Sequence, residues 1–364
     1  MLKETVRRED RLRAHIIQPT IRASLIGSAI AAAIAAAPPA AGQQGCLTTR
    51  GLVMTANAGP VAISGHFATV LQHGNWDTRP TVRFARLDHE SAAEVGIWKA
   101  VWSVADVELR ASTAFVAADD RLVAIDLGDP AAPVELDHVD LVNAELVSIS
   151  GSRAHVLSTG MDGNPHLDIV EISQPAEMER RGSTFWGPDD PEPRAIDADR
   201  GFVAVADEEG MFVIDARDPF NPIRGGRWSG DAVDDVALID RLAIVAAEFS
   251  AGTPQHGIRV IDLSQPGRLV ERGFWGAPSR VASVVPFGDR LAVATSGHGI
   301  FVIDLEDPDV PVAIDQWDGI GRGAVDLAAA WPNLAVANDQ VGLIILGLKP
   351  ECMPPRQVSG RTTP

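Results

Sequence analysis

Four of the nine histidines, His73, His166, His256 and His298, fall in polar stretches that interrupt apolar runs. Three of these stretches are long, LQHGNWDTRPT, STGMDGNPH and AEFSAGTPQH, and they bring Asp77 and Asp162 with them; shorter ones offer Asp207, Glu208 and Asp339. Imidazole with carboxylate is a donor set for zinc and other divalent ions, so convergence of these stretches would make a metal site at the heart of a metal-dependent enzyme. The spacing itself carries no metal signature, because HxH, HExxH and CxxC are all missing, and no GxSxG elbow, Walker loop or GxGxxG turn stands in a usable context. The chain has no tyrosine, which rules out a tyrosine acid or nucleophile. No catalytic set is assigned.

A second group of acids recurs instead of converging. Asp126, Glu171, Asp215, Asp262 and Asp304 occupy one position of a repeated pattern, and Asp129, Asp218 and Asp307 each come three residues later, before a proline. An aspartate carboxylate accepts from the backbone N–H two residues on, and proline presets φ in a turn, so together they build a corner. A catalytic set should be unique, with partners in differing environments. A residue needed in five corners is architectural. Trp228, Trp275 and Trp317 lie nine residues after their turn prolines, with Trp98 and Trp186 near the same place. Such rings are expected to pack between neighbouring units; exposed, they would instead be stacking platforms for a carbohydrate.

The corners are spaced as a repeat. Aligned prolines fall at Pro130, Pro175, Pro219, Pro266 and Pro308, at intervals of 45, 44, 47 and 42 residues. One more step of 42 reaches Pro350, and a step of 40 backwards reaches Glu90 in a degenerate first copy, giving seven copies. Each holds four short runs of β type, in the fifth copy DDVALI, RLAIVAAE, IRVIDL and RLVERGFWG, with no helical period. Four strands in a repeat of this length mark a propeller blade. A lone four-stranded sheet would expose two apolar faces, so blades stack around an axis to bury them. The sequence therefore predicts an all-β chain, a seven-bladed β-propeller of four-stranded antiparallel blades, over residues 43–352. The loops joining the second and third strands, where His73, His166, His256 and His298 fall, would share a face with the links between blades and approach the mouth of the central channel.

The seventh copy supplies AVDLAAA, NLAVAND and GLIILGL but no fourth strand. That strand is found at the other end, where CLTTRGLV (residues 46–53) matches RLVERGFW (residues 268–275), with Leu47 over Leu269, Arg50 over Arg272 and Gly51 over Gly273. An N-terminal strand closing the last blade is expected. The only two cysteines agree: Cys46 and Cys352 both fall at the repeat position held by Arg268, so a disulfide between them would clasp the ring.

The VIDxxDP corner, best seen in DLGDPAAP, DARDPFNP and DLEDPDVP, resembles the LVIVD repeat, in which a Leu-Val-Ile-Val-Asp strand runs into Ser-Asp-Pro and a second proline. The resemblance extends over most of residues 45–350, with Gln-Pro for Asp-Pro in the third and fifth copies. It implies a β-propeller of secreted or surface proteins. It brings no catalytic residues to carry over.

Residues 1–42 differ from the rest. Lys3, Arg7, Arg8, Arg11, Arg13 and Arg22 precede the apolar run ASLIGSAIAAAIAAA, and Ala40 and Gly42 make a small-x-small cleavage pattern. This is the layout of a signal peptide; the 15-residue run is short for a membrane span, although a retained anchor is the alternative. The mature chain is thus expected to have no transmembrane span and to be secreted, periplasmic or at the cell surface, with residues 353–364 a flexible tail. Formal net charge is −18, opposite in sign to what a phosphate backbone attracts, so nucleic acid is excluded as a partner. The function expected is an exported, non-catalytic recognition or scaffold module that binds a protein or polymer over its loop-rich face. The metal-dependent enzyme and a carbohydrate-binding propeller are the alternatives.

Overall fold

The computed structural model describes residues 45–74, 79–88, 91–100, 103–161, 163–187, 190–230, 232–249, 255–319 and 323–352. The expected signal peptide and tail lie outside the described residues, as do Asp77 and Asp162. Strand β1 (Leu47–Met54) precedes the first blade, which is β2 (Ala58–Ser64), β3 (Phe67–Gln72), β4 (Thr81–Leu87) and β5 (Ala92–Lys99). The second is β6 (Asp106–Arg110), β7 (Thr113–Ala118), β8 (Arg121–Asp126) and β9 (Val134–Asp140). The third is β10 (Ala144–Ser150), β11 (Arg153–Thr159), β12 (Pro165–Glu171) and β13 (Glu179–Phe185). The fourth is β14 (Ala195–Asp199), β15 (Phe202–Asp207), β16 (Gly210–Asp215) and β17 (Ile223–Ser229). The fifth is β18 (Val233–Ile239), β19 (Leu242–Phe249), β20 (Gln255–Asp262) and β21 (Val270–Ala277), and the sixth is β22 (Val281–Phe287), β23 (Arg290–Thr295), β24 (Gly299–Asp304) and β25 (Val312–Trp317). The seventh has β26 (Ala324–Ala330), β27 (Asn333–Asn338) and β28 (Gly342–Leu348).

Consecutive strands of a blade pair antiparallel. Middle strands such as TAFVAA and FVAVAD are apolar without alternation because a neighbouring blade covers each face, and they are almost wholly buried. The apolar clusters accordingly span blade boundaries: one joins Val82 and Phe84 of the first blade to Val107 and Val116 of the second, another joins Met211 of the fourth to Val236 and Val245 of the fifth. Strand β1 is the missing fourth strand of the seventh blade. It runs antiparallel to β28 from Leu47 opposite Leu348 to Met54 opposite Gly342. A short 3₁₀ turn, Pro350–Cys352, then brings Cys352 to Cys46, with an S–S bond of 2.04 Å and Cα atoms 5.6 Å apart.

The corners use their acids as expected. Asp126, Asp215, Asp262 and Asp304 each accept the N–H two residues on, at 2.9, 3.2, 2.7 and 2.8 Å, and Glu171 does the same for Ser173 at 3.2 Å. Asp129, Asp218 and Asp307 repeat the device at 3.2, 3.0 and 3.0 Å.

Each corner also serves as an outer seam between blades. Gly96, Gly182, Gly226 and Gly273, on the fourth strands of blades one, three, four and five, face the carbonyl oxygens of Pro130, Pro219, Pro266 and Pro308 in the next blade, leaving no room for a Cβ. The Gly226 N–H donates to Pro266 O at 2.6 Å. In blades two and six an aspartate stands there instead and reaches over: Asp137 accepts Met178 N–H at 2.7 Å and Asp315 accepts Cys46 N–H at 2.8 Å. Gly51 of β1 meets Ala92 of β5 and completes the circle.

Candidate functional site

The first strand of every blade is its innermost one, packed against the first strands on either side, and together they enclose a channel of about 540 Å³ lined from all seven blades. Residues i and i+2 of a strand share a face, so each first strand aims alternate side chains inward. Those positions are not all apolar. Asp106 and Glu108 on β6, Asp197 on β14, Asp235 on β18 and Asp326 on β26 face the lumen, and so do His73 and Arg194.

At six of the seven blade boundaries a side-chain oxygen accepts a backbone N–H from the next first strand, and between the first and second blades Ser64, at the end of β2, takes Ala111 in the turn after β6 at 3.0 Å. Asp106 takes Val147 at 2.9 Å, Ser148 takes Ala198 at 3.0 Å and Asp197 takes Leu238 at 2.7 Å. Asp235 takes Val284 at 2.8 Å, Ser283 takes Leu327 at 3.3 Å, and Asp326 of the last blade takes Val61 of the first at 2.9 Å. The second oxygen of Asp106, Asp197 and Asp235 accepts the N–H of the following residue on its own strand, each at 2.8 Å. One rule therefore runs round six of the seven boundaries, executed by carboxylate in four places and hydroxyl in two. The sequence carried its trace, since an otherwise apolar run such as AVDLAAA or VASVVPF holds one polar residue.

Confinement shifts these acids. Burial pushes Asp106 up to about 7, assisted by the Asp326 charge and opposed by the Val147 N–H. Burial and the Asp326 charge push Asp235 to about 7 as well. Asp197 and Asp326, also raised by burial but better supplied with hydrogen bonds, reach about 6. Glu108, raised by burial and then by the charges of Asp106 and Asp197, stands well above its ordinary value.

The four histidines expected to gather do not. Only His73 lines the channel, its ring against Gly59. His166 and His256 lie inside β12 and β20, not in loops: the His166 ring is 5.8 Å from that of Phe185, and His256 Nδ1 is buried without a partner. His298 Nδ1 is 3.2 Å from Ser279 Oγ. Among the described residues no three His, Cys, Asp or Glu side chains form a metal-holding group. The physical reason is that loops on one face of a ring stand over their own blades, so equivalent sequence positions are spread around the rim. Asp207 is likewise occupied, paired through both oxygens with Arg227 at 2.6 and 2.8 Å.

Four of the five repeat tryptophans are packed between blades, while Trp317 lies half-buried beside Gly319. Trp186 is buried edge-on to Phe212 of the next blade, with ring centroids 5.3 Å apart, and Trp275 lies 5.2 Å from Phe301 of its neighbour. Trp98 and Trp228 pack against the clusters that join blades one to two and four to five.

The family model of the LVIVD repeat matches residues 103–140, a span that contains the whole second blade from β6 to β9. The second blade is an LVIVD repeat, and the chain is a β-propeller. Solved structures agree on the fold. A chain of a mitotic checkpoint complex superimposes with a TM-score of 0.62 at 12% identity, covering 86% of this chain and 95% of that one. The WD40 domain of Pan2 from Neurospora crassa gives 0.60 at 9% identity, covering 85% and 98%. BamB from Moraxella catarrhalis gives 0.50 at 10%, covering 82% and 85%. No curated protein matches at the level of sequence. At these identities the likeness is one of fold.

Proposed function

We propose that this LVIVD propeller is an exported, non-catalytic recognition module that holds a protein or polymer on the face carrying the second-to-third strand loops and the channel mouth. The observation behind this reading is where the blades differ. The repeated polar residues are consumed internally: corner aspartates by turns, outer-seam residues by docking, inner aspartates and serines by latches. Departures from the repeat collect in the loops after β3, β11 and β19 and in the link residues Arg194, Asp234 and Arg280. A rigid scaffold with variable loops on one face is how binding surfaces are generally built. The acid-lined channel opening there favours a partner that presents basic groups. The neighbour from a mitotic checkpoint complex is a chain of this fold that belongs to an assembly.

Export rests on the layout of residues 1–42 and on the Cys46–Cys352 bridge, a bond suited to oxidising compartments. Among the described residues no helix is long and apolar enough to cross a membrane.

The test is site-specific photo-crosslinking in the source cell, with the probe at His298 on the loop face or at Val310 on the opposite one. A discrete adduct from position 298 in an extracytoplasmic fraction, weakened by salt, is the expected result. An adduct only from position 310, or a chain that keeps residues 1–42 in the cytoplasm, would overturn the reading.

A further inference from the structure

We propose that the inner latches make the propeller ring responsive to pH: mild acid protonates the channel carboxyls and tightens the closure between blades. The argument begins with the internal comparison the ring provides. Ser148 and Ser283 hold their boundaries by accepting one N–H through an uncharged hydroxyl, which itself donates to Asp197 at 3.1 Å and to Asp326 at 3.2 Å. A negative charge on the accepting group is therefore unnecessary for latching: a neutral carboxyl keeps its carbonyl oxygen for the N–H of the next blade and gains a donor, giving up the bond its other oxygen accepts within its own strand.

The charges also oppose one another. Asp106, Glu108, Asp197, Asp235 and Asp326 come from four blades and share one narrow lumen. The basic groups lining it are His73 and Arg194. Arg194 stands over the rim, 3.8 Å from Asp234 and 3.9 Å from Glu208, and Arg280 bonds Asp234 at 3.0 Å. Asp199, further along β14, sits 3.6 Å from Arg200. These cations are engaged by Asp234, Glu208 and Asp199. Like charges gathered in one narrow lumen raise each other's affinity for protons, and their partial burial raises it further.

The direction follows from linkage. The folded chain holds protons on these groups at pH values where the unfolded chain has released them, so stability rises as pH falls from about 7 towards 4 and is lost again on the way back up. One buried group opposes the trend: His155, on β11 between blades and away from the lumen, must stay neutral to remain buried, and its contribution falls in acid.

The experiment compares thermal unfolding at about pH 5 and about pH 7.5 for the parent, for the double variant Asp106→Asn and Asp235→Asn, and for an exposed control, Glu306→Gln. The parent should melt several degrees higher in acid. The double variant should lose at least half of that gain by melting higher at the alkaline value, and the control should behave as the parent. Carboxyl carbon NMR of the parent, which needs no variant to fold, should show aspartate midpoints between about 6 and 7. Equal or lower stability of the parent in acid, a pH slope untouched in the double variant, or the absence of any midpoint above about 5 would each refute the proposal.

Discussion

Replacing the outer-seam glycines one at a time by alanine separates two opposing effects whose balance the structure fixes. In a position that tolerates it, Gly→Ala stabilises by about 0.4–1 kcal/mol, because the unfolded chain has less freedom to lose. Gly96, Gly182, Gly226 and Gly273 are not among the glycines with positive φ, so space alone decides. A methyl on Gly96 would drive into the Pro130 carbonyl oxygen and reach 2.8 Å from its carbon; one on Gly182 meets the Pro219 oxygen and lies 3.1 Å from its carbon. A methyl on Gly226 would lie 2.8 Å from the Pro266 oxygen and 3.0 Å from the Gly267 carbonyl carbon, a clash with backbone but the shallowest of the three. Forced overpacking costs about 1–3 kcal/mol. Gly96→Ala and Gly182→Ala should therefore lose about 1–3 kcal/mol net, because a whole blade corner must retreat, whereas Gly226→Ala, with the shallowest clash, should fall at the low end of that range, about 1 kcal/mol below the parent. Urea unfolding followed by tryptophan fluorescence reads this directly, since Trp186 and Trp275 sit at blade boundaries. If Gly226→Ala were the most damaging of the three, or Gly96→Ala neutral, the idea that the repeated corner docks on the preceding blade would be wrong.

Removing the clasp with Cys46→Ser and Cys352→Ser frees a loop of 306 residues, for which chain entropy sets a ceiling of about 5 kcal/mol; the urea midpoint should fall while far-UV dichroism stays that of the folded ring, because β1 remains zipped to β28. Asp304→Ala leaves the Glu306 N–H without its acceptor and should lower stability by about 1 kcal/mol, whereas Asp304→Asn, able to accept the same bond, should recover most of it. His155 is buried with both ring nitrogens unpartnered, and burial lowers its pKa to about 4. His155→Leu should stabilise at neutral pH by about 1–3 kcal/mol. The gain should be larger at about pH 5, because the parent alone then loses the stability that a depressed histidine forfeits as pH falls from about 6.5 towards 4.

The architecture was legible because a repeat states its rule many times. Seven aligned corners and an orphan fourth strand at the wrong end of the chain leave one closed arrangement, and the match of Cys46 with Cys352 fixed its seam. The side-chain chemistry was legible only where it is local. An aspartate that bonds two residues on can be read from VIDLEDP, because donor and acceptor lie in the same window. The inner latch of Asp326 to Val61 spans 265 residues, and the outer one of Asp315 to Cys46 spans 269, so no window holds both partners. The misplaced expectation has the same origin: His73, His166, His256 and His298 share a sequence position, and in a ring equivalent positions are related by rotation about the axis. Equivalent residues therefore meet only if they point inward on the first strands. That is where Asp106, Asp235 and Asp326 stand, and why convergent chemistry in this fold must be sought among breaks in the innermost apolar run before the loops are considered.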